Sequence, residues 1–184
     1  QRLVTRCVPD RRTRIRSGTG RNIVDKDDKS DIVMQLIDEK NLTTVENICQ
    51  YDPVRPSIPC EWRIANGNKV FFKGVKSFDM RYVTEMSAAC CVSFKNTVPK
   101  SEMEMVSSVH SGNIAIFYTV WSTRKGAGRE IIFNIVDYLK EHKPNVKRYV
   151  TLSPKTEMAK KFHLRNGAEM IAENETTYNF EYFV

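Results

Sequence analysis

The chain has 184 residues, 41% of them hydrophobic, which suits one domain or one domain with an arm and allows a sizeable core. Its formal charge is +7; no apolar run reaches the roughly 18–20 residues that span a bilayer and no signal-peptide pattern opens the chain, so the expectation is a soluble, cytoplasmic protein with no membrane partner. Five cysteines without a CxxC spacing or a Cys/His cluster argue against a metal site and for buried thiols in a reducing compartment.

Residues 1–21 hold seven arginines against one acid, leaving the rest of the chain almost neutral at 22 basic and 21 acidic groups. Such a segment can contact the phosphates of nucleic acid or of a nucleotide, although a solvated loop is the simpler account. Leu3 to Val8 has strand propensity and 11–30 reads as an exposed loop. Ile32, Val33, Leu36 and Ile37 recur at helical spacing and predict a helix over 29–40, with a further helical turn near Val45 to Ile48. Three prolines between Asp52 and Pro59 stop it.

From Glu61 the texture turns to strands: Trp62 to Ile64, Lys69 to Val75 after an Asn66-Gly67 turn, and Tyr82 to Phe94. Ser101 to Val109 carries helical fragments, and Asn113 to Trp121 is a buried strand. Ile131, Ile132, Ile135, Val136 and Leu139 share one face of a helix that Pro144 ends. Arg148 to Ser153 is a strand; a helix over about 155–166 stops at the cap pair Asn166-Gly167, and Ala168 to Ala172 and Thr177 to Phe183 close as strands. The strand–helix–strand unit makes its two strands parallel.

Between the buried strand and the long helix runs Thr123-Arg124-Lys125-Gly126-Ala127-Gly128-Arg129. Glycines admit close backbone approach, and a helix N-terminus offers unpaired N–H groups with a positive dipole, so a pyrophosphate fits here; a packing turn is the plain alternative. This half resembles the GNAT superfamily, whose strand leads into a Q/R-x-x-G-x-G/A loop, with Thr123 here in place of the usual Gln or Arg. The resemblance implies an α/β (α+β) fold, a mixed and mostly antiparallel twisted sheet with helices on both faces. It also implies acetyl-CoA or another acyl-CoA as co-substrate without a metal, held by Arg124, Lys125, Gly126, Ala127, Gly128 and Arg129. The backbone of Phe117, Tyr118, Thr119 and Val120 would receive the pantetheine arm and polarise the thioester. The partner would be a small-molecule or peptide amine acceptor, and a homodimer is an allowed assembly.

Thr151-Leu152-Ser153-Pro154 and Phe162-His163-Leu164-Arg165-Asn166-Gly167-Ala168 also resemble the catalytic half of malonyl-CoA decarboxylase, in which the matching Ser and His are catalytic. That resemblance makes Ser153 and His163 the catalytic pair, with His163 protonating a departing thiolate or an enolate. That family's helical N-terminal domain and the long insertion between its Ser and His have no counterpart here, which favours acyl transfer. A continuous helix from Pro154 would hold Ser153 and His163 about 14 Å apart. Ser153 before Pro154 is equally a helix cap, and His163 near a helix end equally a dipole partner. His110 and His142 read as surface residues, Tyr118 and Trp121 as core aromatics, and Glu61, Asp79 and Glu85 as candidate bases. The chain thus reads as a single domain over 1–184, with 113–170 as its acyl-CoA core and a non-catalytic, nucleic-acid-binding module as a third alternative.

Overall fold

The structure, a computed structural model, describes residues 32–36, 50, 52–76, 83–108 and 111–184. The arginine-rich segment, the strand at Leu3 to Val8, the loop before residue 31, the turn near Val45, and Asp79 and His110 lie outside the described residues.

A nine-residue run of β-branched, aromatic and small apolar residues, Ile114–Ser122, forms the central strand β4 and is buried from Ile114 to Thr119. On one side it pairs antiparallel with β3 (Val83–Lys95), which pairs with β2 (Lys69–Lys76) and then β1 (Ile32–Leu36). On the other side β4 lies parallel to β5 (Arg148–Thr151), the only parallel pair among the described strands. Beyond β5 comes β8 (Thr177–Glu181), which also pairs with β6 (Ser153–Pro154) and β7 (Glu169–Glu173).

Parallel pairing needs a crossover, and the long helix α3 (Ala127–His142) supplies it. Its stripe of Ile131, Ile132, Ile135, Val136 and Leu139 is fully buried against one sheet face, each side chain contributing about 2 kcal/mol of transfer energy. The opposite face is covered by α1 (Cys60–Ile64), by Met105 of α2 (Glu102–Ser107) and by Ile58.

Three expected elements differ. The spacing at 29–40 predicts a helix, yet Ile32–Leu36 is a strand paired with Phe71 to Val75 of β2. The open edge of β2 offers a backbone ladder that β-branched Ile32 and Val33 suit better than an isolated helix turn. The expected strand at Trp62 is instead the single helical turn α1, because Arg63 must turn inward to meet its buried partners. The strand from Arg148 is also interrupted: it ends at Thr151 and resumes at Ser153 against β8.

Those partners are specific. Arg63 Nη1 donates to Asp52 Oδ2 at 2.6 Å, with both side chains wholly buried. Its remaining donors reach the carbonyls of Arg55 at 2.6 Å and Ile58 at 3.2 Å. Asp52 Oδ1 accepts the amides of Val54 and Arg55, and Oδ2 also accepts the Thr119 hydroxyl of β4 at 3.0 Å. The proline-rich segment 52–59 is thereby fastened over β4 by one satisfied ion pair. A fully hydrogen-bonded buried pair is tolerable, but half of one is not. We expect Arg63→Met to lower the unfolding free energy by about 3–5 kcal/mol in urea titrations. Adding Asp52→Asn should recover much of that loss, giving a double variant more stable than Arg63→Met alone.

Candidate functional site

Strands β4 and β5 stay paired only from Ile114 and Arg148 to Phe117 and Thr151, with a last bond from Leu152 N–H to the Phe117 carbonyl at 2.9 Å. Beyond that point β5 gives way to β6, which turns to β8, while β4 continues along β3 to Ser122. A bulge drives the parting. Cys91 pairs with Thr119 and Val92 with Phe117, so Tyr118 is a surplus residue without a register partner on β3, and such a residue bends its strand. Among the described strands, none therefore pairs with the backbone of 118–120 on the side toward β5.

The parting opens a small pocket of about 60 Å³ that Phe117, Tyr118, Leu152, Ser153 and His163 help to line, and it adjoins a cleft of about 470 Å³. The cleft runs between Val120 to Ser122, Pro53 and Val54 of the strap, Gly128, and Met158 and Phe162 of α4 (Glu157–Arg165). Arg55 clamps the strap across the parting: it donates to the Leu152 carbonyl at 3.0 Å and to Glu102 at 3.1 Å.

At the cleft's far end the chain enters α3. Gly126 is its N-cap with φ of +82°, a left-handed conformation that side-chain-bearing residues resist. The amides of Ala127 and Glu130 turn back to the carbonyls of Arg124 and Gly126 at 3.1 and 3.0 Å. Those of Gly128 and Arg129 are left for an external acceptor at the positive end of the helix dipole. A Cβ on Gly128 would stand 3.3 Å from Ser122 Oγ and 3.4 Å from the Phe162 ring, so the glycine keeps this end open. Lys125 is exposed, Arg129 stacks on Phe133 at 4.7 Å, and Arg124 is paired to Glu130 at 2.9 Å. The loop residues expected to meet phosphate thus gather at one mouth, with Phe117 to Val120 leading to it.

Ser153 and His163 line the same pocket, because α4 starts late. Thr156, not Ser153, is its cap, accepting the Ala159 amide at 3.2 Å, and the chain between folds back with Thr156 N–H on the Pro154 carbonyl at 2.8 Å. Each bonds elsewhere, however. The Ser153 hydroxyl donates to Thr151 Oγ1 at 2.9 Å, while His163 Nδ1 meets the Tyr182 hydroxyl at 2.8 Å. They therefore do not form a nucleophile–base couple. At the end of α4 the amide of Gly167 (φ +88°) returns to Leu164 and that of Ala168 to the His163 carbonyl, the cap expected of Asn166-Gly167, which fixes the backbone of His163.

The His163 ring is buried against Phe162, Phe180 and Tyr182, and burial pushes its pKa down to about 4. At neutral pH it is an uncharged imidazole rather than the protonated acid its ordinary value would permit. The Tyr182 hydroxyl, pushed up by burial, keeps its proton; in the tautomer in which it donates to Nδ1, the ring carries its own proton on Nε2. Sequence reasoning missed Tyr182, Asp52, Arg55 and Arg63, none of which lies in a recognisable motif. Of the candidate bases, Glu61 is exposed on α1 and Glu85 lies on β3 opposite Val75. Among the described residues no group of three or more potential ligands could hold a metal, and no helix is long and apolar enough to cross a membrane.

No family model and no curated protein matches the chain. Solved structures do. Arabidopsis thaliana NAA60 in complex with acetyl-CoA superposes with a TM-score of 0.57 at 16% identity, over 83% of this chain and 99% of that one. A GNAT-family acetyltransferase from Listeria monocytogenes gives 0.54 at 9%, over 82% and 94%. Malonyl-CoA decarboxylase from Cupriavidus metallidurans gives 0.49 at 17%, over 68% and 31%, too loose a fit to bear on the reaction. These likenesses establish the fold: the chain has the mixed α/β architecture of GNAT acetyltransferases, as the resemblance in the sequence implies.

A histidine buried uncharged gives stability that is present above its unfolded pKa of about 6.5 and is lost as pH falls toward its folded value of about 4, because the unfolded chain then binds the extra proton. The loss amounts to about 3 kcal/mol across that window. Urea midpoints measured from pH 7 to 4 should therefore fall less steeply in His163→Gln than in the wild type. Equal slopes would mean that the ring is accessible and charged.

Proposed function

We propose that this GNAT-fold domain transfers an acetyl or other acyl group from its coenzyme A thioester to an amine. The observation that carries this reading is the parting of β4 from β5 at the Tyr118 bulge, which opens a cleft ending on the amides of α3. Phosphates suit that end, where Gly126 and Gly128 leave backbone N–H groups facing outward and Lys125 and Arg129 add charge. A pantetheine arm suits the unpaired edge of Phe117 to Val120, whose backbone groups bond an extended chain as a strand would and polarise the thioester carbonyl.

The acceptor nitrogen attacks that carbonyl, the carbon–sulfur bond breaks, and the proton lost by nitrogen ends on the thiolate. His163 offers the departing sulfur a hydrogen bond from neutral Nε2–H, in the tautomer whose Nδ1 accepts from the Tyr182 hydroxyl. Because its pKa is low, the ring does not serve as an imidazolium acid. Ser153, committed to Thr151, shapes the pocket. We assign the acyl-CoA core to 113–170 of a single domain spanning 1–184. The free thiols Cys60, Cys90 and Cys91 are consistent with a cytoplasmic setting.

Transfer is favoured over malonyl decarboxylation because, among the described residues, no lysine or arginine lines the small pocket, and His163 there is uncharged. A malonyl carboxylate would be buried there without a counter-charge. Melting curves with acetyl-CoA, malonyl-CoA and coenzyme A in parallel test this. A ligand at 100 times its Kd stabilises by about 2.7 kcal/mol, or about 5–10 °C for a chain of this size. Acetyl-CoA and coenzyme A should give that rise, and Gly126→Ala/Gly128→Val should abolish it. A larger rise with malonyl-CoA, with carbon dioxide released in the absence of an acceptor, would favour the decarboxylase. No rise with any of the three would leave a nucleic-acid module built on residues 1–21 as the better account.

A further inference from the structure

The first turn of α3 carries a carboxylate beside the loop, where a phosphate-binding site would be expected to carry none. Glu130, in the first turn of α3, accepts on Oε2 both Lys73 Nζ from β2 at 2.9 Å and Arg124 Nη2 from the loop at 2.9 Å. Its Oε1 lies 3.9 Å from where a Cβ on Gly126 would stand, so this anion rests against the turn whose amides face outward. An incoming phosphate would be repelled unless that charge were covered.

Two cations cover it, and they are not equivalent. The Lys73 side chain is 12% exposed and also donates to Asn134 Oδ1 of α3 at 3.0 Å, so it is held from two sides. Arg124 is 44% exposed, and its side chain is bonded to Glu130. Lys73 is the larger cause holding the Glu130 carboxyl below the usual carboxylate range; slight burial opposes this and Arg124 adds to it. Lys73 is thus the anchored member of the pair, and the more exposed Arg124 is the group placed to change partner. The loop also lacks a Gln or Arg at Thr123, whose hydroxyl is bound to the Met86 carbonyl at 3.0 Å, so Arg124 is the nearest cation to take up that work.

We propose that Glu130 and Lys73 set the affinity of this loop for a nucleoside polyphosphate by ion-pair exchange, in which Arg124 leaves Glu130 for a ligand phosphate while Lys73 stays to neutralise the carboxylate. The proposal rests on the acyl-CoA reading above and adds two positioning residues, Glu130 and Lys73, to it. The variants should shift affinity in opposite directions. Glu130→Gln removes the competitor and frees Arg124. Lys73→Met leaves Glu130 dependent on Arg124, which then resists the exchange.

Calorimetric titration of coenzyme A into each protein, with melting curves of the unliganded proteins alongside, tests this. Glu130→Gln should bind about threefold more tightly than wild type and Lys73→Met about threefold more weakly, the scale of a partly exposed ion pair. Lys73→Arg should restore wild-type affinity, and Arg124→Gln/Glu130→Gln should lose the gain. Structural damage alone does not raise affinity, so a tighter Glu130→Gln with an equal or lower melting temperature supports the exchange. Repeating the titrations with 3′-dephospho-coenzyme A identifies the phosphate: the gain persists if Arg124 takes the pyrophosphate and vanishes if it takes the 3′-phosphate. Wild-type protein that binds no coenzyme A overturns the acyl-CoA reading itself. Wild-type binding with an unchanged or weaker Glu130→Gln overturns only the exchange.

Discussion

The architecture around the cleft depends on one buried carboxylate. Asp52 has four contacts to satisfy it, from Arg63, Thr119 and two amides of its own turn, and each fixes a different piece of the molecule. Through Arg63 it draws α1 inward against β3, where the guanidinium also touches Cys91 Sγ at 3.4 Å. Through Thr119 it grips β4 one residue past the bulge. Through its own turn it aims Val54 into the cleft and Arg55 toward β5. Burying a charge among β-strands is costly, and only completeness of the network makes it tolerable. The return is registration: wall, floor and bulge are set relative to one another by a shared carboxylate, which apolar contacts alone would do less sharply.

On the other sheet face the electrostatics are the reverse. There His163 is surrounded by Phe162, Phe180 and Tyr182 and is stripped of its charge. The pocket between these faces is thus bounded by a saturated ion pair beneath β4 and a neutral ring beyond it, and neither supplies net charge to what binds. The charges that remain accessible cluster at the α3 mouth, some distance along the cleft. Such separation suits a ligand that is polyanionic at one end and uncharged at the reacting end.

Much of this was legible where local rules decide. The α3 stripe, the turns at Asn66-Gly67 and Asn166-Gly167, the apolar run of β4 and the glycine loop all follow from periodicity or from residues that tolerate positive φ. Tertiary partners decided the rest. Ile32 to Leu36 has a helical spacing that the edge of β2 overrides, and Trp62 to Ile64 reads as strand until Arg63 is seen to need Asp52. The meeting of Ser153 and His163 hinged on where a helix starts, and Thr156 rather than Ser153 proved to be the cap. Tyr182 lies 19 residues from His163 and Thr119 lies 67 from Asp52, distances over which a sequence pattern carries no signal.

The bulge at Tyr118 has a consequence for strand length. Phe117 faces the α3 core, Tyr118 and Thr119 both face the side of Asp52, and Val120 returns to the α3 side. If β4 were one residue shorter at this point, every other side chain would keep its face, and the alternation of an ordinary strand would be restored. What would vanish is the bend. Tyr118 is therefore the one residue of β4 that the sheet's own bookkeeping of inside and outside does not call for. A sheet of identical topology lacking that insertion would zip β4 to β5 to the end, and present a closed surface where this one has an opening.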